Sequence, residues 1–155
     1  MRVTASITAT AGAWLLTAKA ALAATVTVGS LSLSGFWTTA TPPGAPTASA
    51  YLTISNNGTV SDSLVAVSSP VASLAMLHRM DVTNGIATMQ TVPEIEIPPG
   101  KTVTLAPDAF HIMFVTLKQT LKAGDAMPVT LIFQRAGRVD AILPVLPLGA
   151  RGPAL

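Results

Sequence analysis

Two tripeptides carry the reactive side chains of this sequence: His78-Arg79-Met80 and His111-Ile112-Met113. Together they use both histidines of the 155 residues. On an extended strand, residues i and i+2 project from one face. Each tripeptide therefore presents an imidazole beside a thioether, while Arg79 and Ile112 point the other way. Thioethers are soft and uncharged and favour Cu(I) over hard cations, and imidazole suits copper equally well. Neither tripeptide contains a carboxylate, which argues against Ca²⁺ and Mg²⁺. Zinc would recruit more His, Cys or carboxylate. The competing reading is structural, because a strand Met usually fills the core and a lone His is usually a satisfied structural group. Two His-x-Met pairs that between them exhaust the histidines weigh toward a metal.

A hairpin adds a further donor. Asn84-Gly85 suits a two-residue type I′ turn, which needs positive φ at both central positions. Pairing outward from that turn sets Met80 opposite Met89, with Cβ atoms roughly 5 Å apart. His78, Met80 and Met89 would then share one surface, and a one-residue slip in register would break the arrangement. Met76 and Met127 are expected in the core.

The elements that must hold these residues are short strands. Thr25 to Thr39 alternates and reads as one or two strands broken near Gly29-Ser30. Ala50 to Ile54, Ser63 to Ser68, Leu74 to Val82, Ile86 to Val92 and Glu94 to Ile97 follow, then a strand with Val103 and Leu105. Phe110 to Thr116, Met127 to Gln134 and Arg138 to Leu146 complete the set. Thr41 to Pro46 and Pro98-Pro99-Gly100 are loops, and Lys118 to Asp125 is a polar loop with room for one helical turn. No long amphipathic helix competes with this pattern, so it predicts an all-β fold, an antiparallel β-sandwich or Greek-key barrel.

Residues 1–23 read as a cleaved secretory signal. Arg2 opens it, Val3 to Leu16 carries no charge, and Ala21-Leu22-Ala23 fits a small-x-small cleavage pattern. Residues 24–146 form the domain, and 147–155 are expected to be a flexible tail. Arg2 and Lys19 are the only basic residues of the nine that precede Ala24, and none of the seven acidic ones does, so the remainder balances at seven of each. With no net charge and no basic stripe, nucleic acid is not an expected partner. No run of about 18 apolar residues follows the signal, so no membrane span is expected after its removal. The chain has no cysteine. That excludes disulfides, thiol chemistry, Cys-based zinc sites and a blue-copper centre. No Gly-x-Ser-x-Gly elbow is present either, and an enzyme is not expected.

The spacing His78, ten residues, Met89, twenty-one residues, His111-Ile112-Met113 resembles the signature of the PCuAC-type periplasmic copper chaperones. The resemblance extends to Ala50-Tyr51-Leu52-Thr53-Ile54-Ser55-Asn56-Asn57-Gly58, Ile97-Pro98-Pro99-Gly100 and Leu121-Lys122-Ala123-Gly124-Asp125, and covers roughly Thr25 to Pro144. It departs at Thr38-Thr39, where members often carry Arg after the Trp, and at Thr120, where they often carry Pro. Residues 148–155 lack the Met and His of the tails that some relatives add. The resemblance implies a cupredoxin-like sandwich with one Cu(I) held by His78, Met89, His111 and Met113. Met80 is a geometric candidate for a substituting thioether. The resemblance also implies a periplasmic location and delivery toward the dinuclear copper centre of cytochrome c oxidase, alongside thiol-containing copper assembly proteins. A copper-buffering or resistance protein, or a metal-free sandwich that binds other proteins, are the alternatives.

Overall fold

The computed structural model describes residues 25–153, so the signal expected at 1–23 lies outside the described residues. Eleven strands fill this span, with no helix among the described residues: β1 (Val26–Val28), β2 (Leu31–Thr39), β3 (Thr47–Asn56), β4 (Asp62–Ser68), β5 (Ala72–Thr83), β6 (Ile86–Val92), β7 (Ile95–Ile97), β8 (Thr102–Thr104), β9 (Phe110–Leu117), β10 (Ala126–Phe133) and β11 (Gly137–Leu146). The strand order is β6-β5-β9-β3-β2-β11-β10-β4-β7, with β1 on β2 and β8 on β3.

The first half of that path and the second half bury a common core. Leu33, Ile54, Ile112 and Phe114 from one side meet Leu64, Leu131, Phe133 and Leu143 from the other in one buried cluster. Strand β10 shows why: its residues alternate between buried and half-buried along its whole length, as a strand with one face on a core must. The expected all-β, cupredoxin-like sandwich is therefore present. It differs in one respect from a purely antiparallel sandwich. Val145 and Leu146 of β11 pair in parallel with Thr38 and Thr39 of β2, and the Ala40 amide donates to the Leu146 carbonyl at 2.7 Å. This seam links the two halves through residues more than a hundred positions apart, which no local pattern encodes.

Two further details depart from the sequence reading. Lys118 to Asp125 forms no helical turn. Instead the Asp125 amide donates to the Lys122 carbonyl at 2.9 Å, and the Lys122 amide donates to the Asp125 carboxylate at 3.0 Å, closing a tight loop around Gly124 at φ 92°. Residues 147–153 belong to no strand, and the Ala150 amide donates to the Pro147 carbonyl at 3.0 Å. Met76 is not in the core, as described below.

One buried carboxylate fastens the second half. Asp62 accepts the amides of Ser63 at 2.8 Å, Arg135 at 2.9 Å and Ala136 at 3.0 Å. It thereby ties the start of β4 to the β10–β11 turn, and satisfies three donors that would otherwise be left unpaired.

Candidate metal centre

Strands β6, β5, β9 and β3 run side by side and bring the candidate residues onto one face. Asn84 and Gly85 take φ of 54° and 76°, the type I′ turn expected of that dipeptide, and the hairpin register sets Met80 opposite Met89 and His78 opposite Thr91. On the other flank, β5 pairs with β9 so that His78 faces His111 and Met76 faces Met113. By the two-residue repeat, Met76, His78 and Met80 of β5 share a face with His111 and Met113 of β9 and Met89 of β6. Arg79 and Asp81 occupy the opposite face, joined by an ion pair at 3.0 Å. The face that carries the histidines thus receives no charge from this hairpin.

The two imidazoles are buried, His78 at 6% exposure and His111 at 3%. Their ring centroids lie 5.4 Å apart with the planes at 82°. His78 Nδ1 stands 2.8 Å from Met89 Sδ, and His78 Nε2 is buried with no hydrogen-bond partner. An orphaned buried nitrogen carries a desolvation cost, which a bound ligand would relieve. His111 is oriented by its own backbone. Its Nδ1 lies 3.4 Å from the Ala109 carbonyl, which also accepts the Met80 amide at 3.2 Å. With its proton on Nδ1 directed to that carbonyl, His111 keeps the Nε2 lone pair for a metal, an outer-shell arrangement that fixes both tautomer and ring.

Two aromatic residues that the sequence reading did not single out for the site back this corner. Tyr51 lies 6.4 Å from His111 by ring centroids, and Trp37 stacks on Tyr51 at 4.3 Å. Trp37 reaches that position through a bulge. The β2–β3 register shifts between Ser34 and Trp37 at Gly35, whose φ is 62°. The extra residue lets Phe36, Trp37 and Thr38 all be buried in succession, which strict alternation would forbid. The bulge could have been suspected from a glycine preceding two adjacent aromatics.

Met76 is the correction within the site. It was expected in the core with Met127, and Met127 is there at 1% exposure. Met76 instead lies half-buried, opposite Met113 on the histidine face. The i, i+2 rule applied from His78 toward the N-terminus would have placed it there. Met89 is the most open of the candidate donors, 47% exposed on the edge strand.

The donor set fits a soft monovalent ion. Among the described residues no three His, Cys, Asp or Glu side chains group together, so a metal on this face would draw on thioethers. Two neutral nitrogens and several thioethers, with no carboxylate, suit Cu(I) and serve hard cations poorly.

Burial lowers the His111 pKa below the ordinary imidazole value. The contact with the Ala109 carbonyl works against that shift, and the nearby His78 adds to it. Just below about pH 6.5 the unfolded chain therefore takes up a proton at this position that the folded chain resists. Stability conferred by neutral His111 is complete above that pH and is lost as pH falls toward the depressed folded value. Urea unfolding of the metal-free protein across this window should show stability falling with pH. A His111→Phe variant should show a shallower fall, because it has lost that proton site.

Residues 31–145 match the LpqE-like family model, described as "Putative lipoprotein LpqE-like". The solved apo PCuAC domain from PmoF1 is 30% identical, superposes with a TM-score of 0.68, and is matched over 98% of its length by 79% of this chain. The chain belongs to the LpqE-like family, and its domain is of the PCuAC type. The copper-bound PCuAC domain from PmoF2 is 25% identical to this PCuAC-type domain, with a TM-score of 0.70, over 80% of this chain and 98% of that one. The Cu(I) form of DR1885 from Deinococcus radiodurans is 31% identical, with a TM-score of 0.60, over 80% and 81% of the two chains. A curated relative, "Putative lipoprotein Lxx21020" from Leifsonia xyli subsp. xyli, is 35% identical over 103 residues. This chain spans 62% of that relative's length.

Proposed function

We propose that this protein is an exported copper carrier that holds one Cu(I) through His78, Met89, His111 and Met113 and hands it to another copper protein. The observation that carries this reading is the buried His78–His111 pair, with the unpartnered His78 Nε2, flanked by thioethers on an uncharged face. The copper-bound forms of PmoF2 and DR1885 support the choice of ion. Binding would satisfy the orphaned nitrogen, and both imidazoles would supply lone pairs while remaining neutral.

Release follows from the same chemistry. Thioethers are the weaker donors, so a thioether such as that of Met113 would let go before an imidazole. Met89 on the exposed edge marks where a partner would reach the ion. Met80, directly opposite Met89, is placed to substitute for a thioether that has detached. Copper then moves by ligand exchange to whichever protein offers more or better donors. No bond of an organic substrate is made or broken, and the role is carriage rather than catalysis. The acceptors we favour are the dinuclear copper centre of cytochrome c oxidase and thiol-containing copper assembly proteins, with the exchange taking place in the periplasm.

The test is transfer. Loaded protein is mixed with the copper-free soluble domain of an oxidase subunit that carries the dinuclear centre, under anaerobic reducing conditions, and copper is followed in each protein after separation. Movement of copper to the acceptor at a rate above that of free chelated copper is expected. Retention of copper by this protein in the presence of excess acceptor would instead favour storage or buffering.

A further inference from the structure

Met76 lies outside the His78, Met89, His111, Met113 spacing, yet the sheet sets it beside two of those residues. Strand β5 pairs with β9 so that Met76 faces Met113 and His78 faces His111, and with β6 so that Met80 faces Met89. Along the sheet, the histidine pair thus lies between two thioether pairs, Met80–Met89 on one side and Met76–Met113 on the other. A methionine serving only to fill space would be buried as Met127 is, at 1% exposure. Met76 is half-buried and takes no part in the buried core cluster. Directly opposed residues in an antiparallel pair have Cβ atoms about 4.5–5.5 Å apart. The three rotatable bonds of Met let two such sulfurs converge on one point.

Taking the histidine face as a Cu(I) site, we propose that Met76 is a further Cu(I) donor, acting with Met113 on the side of the histidine pair away from Met80 and Met89. Each side of the pair then offers two thioethers. The ion can shift across the imidazoles by exchanging one neutral thioether for another, and it stays Cu(I) throughout with no proton or electron moved. An ion drawn to the Met76–Met113 side leaves the exposed Met89 free, so the edge strand can be engaged by a partner without copper being lost.

The test uses ¹³C-methyl methionine labelling of the intact protein and one equivalent of Cu(I) under reducing conditions. The Met76 methyl resonance is expected to move together with those of Met113 and Met89, while that of Met127, buried in the core, stays in place and serves as the internal control. Met76→Leu conserves volume and should weaken Cu(I) binding by roughly tenfold, on the scale of groups that tune a metal site. If Met89 and Met113 move while Met76 moves no more than Met127, or if Met76→Leu binds as tightly as the parent, this proposal is overturned and the copper reading stands. If no methionine methyl moves, both fall together.

Discussion

Replacing His111 by Phe should lower the Cu(I) affinity by at least about 100-fold while the domain remains folded. Even outer-shell partners of a metal site are worth roughly 10–100-fold, and His111 carries one of the two imidazoles of the proposed site. The substitution is chosen to separate binding from folding. Phe keeps an aromatic ring in a position that is 3% exposed and preserves the contact with Tyr51, which stacks on Trp37. The Ala109 carbonyl loses the imidazole but still accepts the Met80 amide, so no backbone group is left unpaired. Competition against a chromogenic Cu(I) chelator reads the affinity, and thermal unfolding reads the fold. An affinity within about threefold of the parent, where 100-fold corresponds to roughly 2.7 kcal/mol, would remove His111 from the site.

The second large effect falls on stability. Phe114→Ala should cost about 3–5 kcal/mol, equivalent to a fall in Tm on the order of 10–20 °C for a domain of this size. Phe114 has no exposed surface. It lies on β9 beside Met113 but faces the core, opposite Ala48 of β3 and Ala75 of β5. Small neighbours on both sides leave nothing large enough to fill the space a truncated ring would vacate. Differential scanning calorimetry of the metal-free variant measures the loss. Below its lowered Tm the variant should bind Cu(I) close to normally, because the proposed ligands project from the other face of the strand. A loss under about 1 kcal/mol would show that the core collapses around the cavity.

Much of this site can be read in the sequence because its local parts obey local rules. Asn84-Gly85 dictates a two-residue turn, and that turn alone sets Met80 against Met89. The i, i+2 repeat puts His78 with Met80 and His111 with Met113. Met76 required only one more step of the same repeat. Other features are long-range. The pairing of His78 with His111 depends on β5 meeting β9 across an intervening hairpin and two short strands, and neither tripeptide specifies that register. The parallel seam between Val145-Leu146 and Thr38-Thr39 arises from closure of the sandwich. The Trp37–Tyr51 support depends on a bulge at Gly35 that strict alternation would have missed.

The most direct test of the donor set is the Cu K-edge absorption spectrum of the one-to-one Cu(I) complex in reducing buffer. Its extended fine structure distinguishes sulfur from nitrogen or oxygen around the ion. A mixed shell of nitrogen and sulfur is the expected result, with the sulfur contribution falling when Met89 and Met113 are replaced by Leu. A shell of nitrogen and oxygen alone would contradict a thioether–imidazole site on this face.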